Sequence, residues 1–147
     1  MKKSVLAIAL AVLMAVSLLT VGAMAEGTVY EVSNQDEIKN ALAIAQDGDT
    51  VKLTDNIELI APDTALDEVW PLLYIRHDIT LDLNKFSITL DKANLNVSLP
   101  YTPCIICVYG ANATITGDGT IDAEAMYNNS YGINVVNDGS LTIESGT

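Results

Sequence analysis

The chain has 147 residues and a formal charge of −12, with seven Lys or Arg against nineteen Asp or Glu. A polyanion of this kind is repelled by nucleic acid and by anionic lipid headgroups, so neither is expected as a partner. The acidic residues are spread along the sequence rather than gathered in one block, which marks them first as a solvated exterior and only second as a cation site.

The first 25 residues read as an export signal. Lys2 and Lys3 form a positive n-region, an apolar run extends from Val5 to Val21, and Ala23-Met24-Ala25 supplies the small-x-small pattern of a cleavage site. Cleavage is expected after Ala25, and no Cys follows it to carry a lipid anchor. The mature chain is therefore expected to be secreted or at the cell surface, with no membrane attachment. It keeps about 120 residues, enough for one domain with a modest core. Residues 26–48 are expected to hold an N-terminal strand and a capping helix, and residues 49–147 a series of coils.

The helix lies in "SNQDEIKNALAIAQDGD". Ser33 or Asn34 can cap it, and Asp36 and Glu37 suit the positive end of the dipole. Ile38, Ala41, Leu42 and Ala45 form one narrow apolar stripe, and Gly48 is read as the stop. A stripe this small must cover the apolar end of something else.

That something is a repeat. With Leu83, Ile115 and Ile143 as anchors, Leu81, Ala113 and Leu141 precede them by two residues. Ile75, Cys107 and Val135 precede them by eight, and Leu73, Ile105 and Ile133 by ten. Val51 and Leu53 start the series half a copy earlier. Each copy reads as short strands of period-2 alternation broken by the corners "RHD", "YGAN" and "NDG", with a third strand beginning at Ile88 or Ile121. Three short strands per copy, in register between copies, predict an all-β parallel β-helix whose first coil is covered by the helix. In this register Lys52, Asp82, Thr114 and Thr142 form an outer column, and Ile106, Val108 and Val136 an outer apolar patch.

Cys104 and Cys107 form a C-x-x-C, but zinc would need two further ligands and His77 is the chain's one histidine. On an extended strand the two thiols point to opposite faces, roughly 10 Å apart, too far for a disulfide. They are read as structural thiols, and no metal or other cofactor is expected. His77, at a corner with no evident carboxylate partner, is read as an exposed turn residue.

Taken together, "DGDTVKLTDNIEL", "DITLDLNKFSIT", "ATITGDGTIDA" and "GSLTIESGT" resemble the start of right-handed parallel β-helix proteins of the pectin-lyase-like superfamily, which includes many bacterial surface and adhesin-like proteins. The resemblance spans nearly all of the mature chain and implies the fold more than an activity. Polygalacturonase-like enzymes carry a phrase similar to "ITGDGTIDA" before their catalytic rungs. Their later Asp, His and Arg motifs, including a Gly-His-Gly, are not present here. Pectate-lyase-like sites pair clustered Asp ligands for calcium with an Arg on neighbouring rungs, whereas Arg76 is the only arginine here and no acidic residue stacks with it in this register. Asp118 and Asp122 do not make the placed carboxylate pair that hydrolysis requires, and Gly117-Asp118-Gly119 reads as a turn. No catalytic residue is assigned.

The long insertions "IAPDTALDEVWP", "KANLNVSLPYTPC" and "DAEAMYNNSY" recur at one point of the coil. Stacked loops on one edge of a solenoid commonly build its binding wall. Trp70, Tyr101, Tyr127 and Tyr131 lie in or beside them, with Tyr74 on the adjoining strand, and flat rings beside amides and carboxylates suit a sugar. The alternative is that these rings anchor the loops. The expected protein is thus a non-catalytic adhesin-like or glycan-binding surface protein whose partner is a polysaccharide or cell-surface glycan. Neutral sugars are favoured over uronates by the overall charge. The alternatives are the N-terminal piece of a polysaccharide lyase or glycoside hydrolase with its catalytic rungs beyond Thr147, and a structural stalk. "SLTIESGT" stops where earlier copies run on, so further coils are expected.

Overall fold

The computed structural model describes residues 27–60, 71–91, 104–122 and 131–146. The expected leader, residues 1–25, lies outside them. The described chain opens with strand β1 (Val29–Val32) and helix α1 (Gln35–Ile44). Asn34 is the N-cap, its Oδ1 accepting from the Glu37 amide at 3.0 Å. Glu37 reaches back in turn, and its Oε2 accepts from the Ser33 amide at 2.7 Å and the Ser33 hydroxyl at 2.9 Å. This is a capping box displaced by one residue. The Ser33 amide, then the Ser33 hydroxyl and Asn34, hold the Glu37 carboxyl below its ordinary pKa. The expected stripe of Ile38, Ala41, Leu42 and Ala45 is buried. The helix ends at Ile44, earlier than Gly48 suggested: Ala45 leaves helical conformation at ψ 147, and Gly48 belongs to the turn that follows.

Ten strands follow: β2 (Thr50–Leu53), β3 (Ile57–Leu59), β4 (Leu73–Ile75), β5 (Thr80–Asp82), β6 (Ser87–Leu90), β7 (Cys104–Tyr109), β8 (Asn112–Thr116), β9 (Thr120–Asp122), β10 (Tyr131–Val136) and β11 (Ser140–Ile143). They form three sheets, ordered β1-β2-β5-β8-β11, β3-β6-β9 and β4-β7-β10, and every described pairing is parallel. The fold is all-β with parallel sheets and, among the described residues, one helix. From β2 onward the chain visits the first, second and third sheets in fixed rotation. Between β1 and β2, neighbours in the first sheet, the chain makes α1 instead of two strands, and α1 packs chiefly on β4.

The core is the set of inward columns. Val51, Leu81, Ile115 and Ile143 lie opposite one another in the first sheet, and Ile57, Ile88 and Ile121 in the second. The expected register holds where Val51 meets Leu81 and Lys52 meets Asp82, and again where Ala113 meets Leu141 and Ile115 meets Ile143. Between β5 and β8 it is displaced: Leu81 lies opposite Ile115, not Ala113, and Asp82 opposite Thr116. A two-residue displacement keeps each side chain on its face.

Between β4 and β7 the displacement is one residue, which exchanges the faces. Leu73 lies opposite Ile106 and Ile75 opposite Val108, so Ile106 and Val108 point inward. Ile105 and Cys107 take the outer face beside Tyr74, the reverse of the expectation, and the supposed outer patch of Ile106, Val108 and Val136 does not form. The cause is corner length. The path from Ile75 to Leu81 is one residue shorter than that from Val108 to Ile115, which is itself one shorter than that from Val135 to Ile143. Both faces of β7 are buried nonetheless.

Polar side chains fix the corner between the third and first sheets. The Asp78 amide donates to Asp47 Oδ1 at 3.0 Å; the Asn112 amide and Nδ2 donate to the two Asp78 oxygens at 2.7 and 2.8 Å. The Ser140 hydroxyl then donates to Asn112 Oδ1 at 2.7 Å. Each residue thus binds its counterpart at or just before the start of the neighbouring strand of the first sheet. At the corner between the first and second sheets, Gly117 has φ +84, and a Cβ there would meet the Asn84 nitrogen at 2.4 Å. A Cβ on Gly119 would meet the Phe86 carbonyl oxygen at 1.9 Å. The Gly-Asp-Gly stretch is a close approach to the turn between β5 and β6.

Candidate functional site

The three long connections, 60–72, 91–103 and 123–130, all lead from the second sheet to the third. Of the five aromatic residues expected to line them, Trp70, Tyr101 and Tyr127 lie outside the described residues. Tyr131 is the first residue of β10, its backbone opposite Cys104. Tyr74 projects from the middle of β4 and is 39% exposed, between the buried Leu73 and Ile75.

Tyr74 borders an open pocket of ≈ 310 Å³ where α1 meets β4. Leu42 and Ala43 of the helix, Leu73 of the strand and Leu72 just before it supply its apolar lining. Lys39, Arg76 and His77 supply its polar lining, with no carboxylate among the lining residues. The Arg76 guanidinium carbon lies 4.6 Å from the centre of the Tyr74 ring, a cation–π contact worth about 0.5–1 kcal/mol at an exposed site. That contact covers one face of the ring, and Tyr74 stays 39% exposed to solvent. The volume lies at the lower end of the roughly 300–1,000 Å³ typical of small-molecule sites.

His77 is not the partnerless turn residue expected. Its Nδ1 lies 3.4 Å from Asp47 Oδ1, across one coil. Asp47 also accepts from the Asp78 amide, so the imidazole is tied into the corner ladder. Cys104 and Cys107 are both free and buried. Burial, with a smaller contribution from Cys107, pushes the Cys104 thiol up to about 11. Burial likewise raises Cys107, against a smaller opposing pull from Arg76. Thiols so placed are poor nucleophiles. Asp118 is exposed in its turn and Asp122 sits on β9. Among the described residues no three His, Cys, Asp or Glu side chains group to hold a metal ion. No helix of the described residues is long and apolar enough to cross a membrane.

Of the residues lining this pocket, Tyr74 is one that the sequence suggested for a binding wall, and Lys39 is one that it did not. The available signal was scarcity: the chain has seven Lys and Arg, and Lys39 stands beside the buried stripe of α1 while Arg76 follows a buried strand. No family model, curated protein or solved structure matches the chain.

Proposed function

We propose that this chain is a run of right-handed parallel β-helix coils, exported and displayed at or beyond the cell surface, that binds glycan without cleaving it. The fixed rotation among three parallel sheets supports the β-helix, and the strong right-handed preference of parallel crossovers supports the hand. The charged n-region, apolar run and Ala-Met-Ala site support export. The observation that carries glycan binding is the exposed Tyr74 ring beside an open pocket, at the coil edge where all three long connections fall. A flat ring next to hydrogen-bonding groups matches the apolar face and polar rim of a sugar. Trp70, Tyr101, Tyr127 and Tyr131 belong to the same proposed wall.

A glycan-array screen of the mature chain, repeated with Tyr74→Ala, tests this. Binding should fall about ten-fold or more in the variant while its melting temperature stays within a few degrees of the parent, since the ring projects outward. An unchanged array profile in Tyr74→Ala, or a profile with no glycan at all, would remove the reading. Turnover of polygalacturonate by the chain, lost on Asp118→Asn or Asp122→Asn, would replace it with the lyase or hydrolase alternative.

A further inference from the structure

The chain carries −12, yet the pocket between α1 and β4 is lined by Lys39, Arg76 and His77 and by no carboxylate. Net charge sets the far field, whereas a ligand inside a concave site responds to the groups within a Debye length of about 8–10 Å. Here these are Lys39, Arg76 and His77, with the Asp47 carboxylate behind His77. Resting on the glycan reading above, we infer that this pocket selects a sugar ring bearing a sulfate ester, with the ester between Lys39 and Arg76 and the ring against Tyr74.

Three features support this choice. The two long cationic side chains line the same pocket from different parts of the chain, Lys39 on α1 and Arg76 just after β4, so one bound group lies within reach of both. A sulfate ester presents three terminal oxygens in a tetrahedral array and can accept from donors out of one plane, while a carboxylate offers two oxygens in a single plane, which the fork of one guanidinium matches on its own. A sulfate ester is also a permanent anion, so it needs no help from the imidazole. That matters because His77 is turned toward Asp47 at 3.4 Å, which leaves Lys39 and Arg76 as the working cations. Finally, Leu42, Leu72 and Leu73 give the pocket an apolar side that free inorganic sulfate cannot use but a sugar ring can. The overall charge does not oppose this selection: it keeps polyanions at a distance without deciding which single ring fits.

The test is a titration of the mature chain, followed by NMR, with four separate probes: N-acetylglucosamine 6-sulfate, N-acetylglucosamine, glucuronate and sodium sulfate. The sulfated sugar should bind at least about ten-fold more tightly than the other three, an advantage that shrinks as salt is raised. Arg76→Gln should weaken it about ten-fold and Lys39→Gln several-fold. Lys52→Gln, an equal change in net charge on the first sheet, should change it less than two-fold. Equal loss in Lys52→Gln would reduce the effect to net charge and overturn the site. Sodium sulfate or glucuronate binding as tightly as the sulfated sugar would overturn the ligand class. Binding of N-acetylglucosamine as tight as that of its sulfate, abolished by Tyr74→Ala, would overturn the inference and leave glycan binding standing. Binding of none of the probes, together with an empty glycan array, would remove both.

Discussion

Asp49 is the one buried charged residue among the described residues, at 6% exposure, and its position is explained by what it holds. Its Oδ1 accepts from the Thr28 amide at 2.7 Å and its Oδ2 from the Gln46 amide at 2.8 Å, tying the start of β1 to the end of α1. The Gln46 and Thr28 amides, in that order, lower its pKa against an opposing push from burial. Asp78 is lowered too, chiefly by the Asn112 side chain and then its amide. A depressed carboxyl stabilises the fold fully above its unfolded pKa, and that contribution is lost as pH falls through the lower folded value. Urea midpoints should therefore be flat between about pH 6 and 7 and decline below about pH 4. Asp49→Asn should lower the neutral midpoint and flatten the acid decline, because its amide nitrogen cannot accept from a backbone N–H. An unchanged acid limb would show that Asp49 is not among its causes. Lys85 presents a different cost, with φ +69 directly after Asn84 at φ +45. Left-handed conformation costs a residue with a Cβ roughly 1–2 kcal/mol, and Asn-Gly is the favoured pair for two such positions. Lys85→Gly should stabilise the protein by about 0.5–1 kcal/mol, after the entropy of the unfolded glycine is counted. A loss of stability there would mean that the Lys85 contact with the Phe86 ring, 5.5 Å from its centroid, outweighs the strain.

At the scale of the element, α1 decides whether the pocket exists, because Lys39, Leu42 and Ala43 all come from it. Ten residues are too few to be helical alone, so its cap and its contact with β4 share the task. Asn34→Ala removes the acceptor for the Glu37 amide and should cost about 1 kcal/mol by urea unfolding. An effect below about 0.3 kcal/mol would mean that Glu37 and Ser33 hold the first turn unaided. How far these elements were legible in the sequence depends on what each side chain reports. The stripe of α1 showed which face is buried but not what it is buried against, so the pocket stayed hidden. β2, β5, β8 and β11 alternate clearly, and alternation survives a two-residue displacement, so their inward residues were readable. "CIICVY" in β7 is apolar at nearly every position, so alternation carries no information about its faces. Only corner length fixes them, and each corner is one residue longer than the last. The contact of His77 with Asp47 was invisible for the same reason, since it joins corners of successive coils whose register had first to be known.

Across the described residues, the inward side chains of β2 to β8 are buried and those of β9 to β11 are less so. Opposite residues of one inward column make the point: Val51 and Leu81 are fully buried, Ile115 is 2% exposed and Ile143 is 59% exposed. In the third sheet Ile75 and Val108 are buried and Val135, opposite Val108, is 38% exposed. Leu83, Ile115, Ile121, Ile133 and Ile143 border an apolar hollow of ≈ 130 Å³ at that end. In a parallel sheet each strand contacts only its neighbours, so a column residue gains its full transfer free energy only when strands lie on both sides of it. Ile115 has β5 on one side and β11 on the other, whereas Ile143 pairs with β8 on one side. Ile115→Ala should cost about 2–5 kcal/mol, from lost burial plus the cavity left between two coils. Ile143→Ala removes atoms already mostly in water and should cost less than about 1 kcal/mol. Urea unfolding of the two variants, at two protein concentrations tenfold apart, separates the possibilities. Equal large losses at both concentrations would mean that Ile143 is enclosed within the molecule and that the gradient is wrong. A large loss for Ile143→Ala only at the higher concentration would show that a second copy of the 147-residue chain covers Ile143.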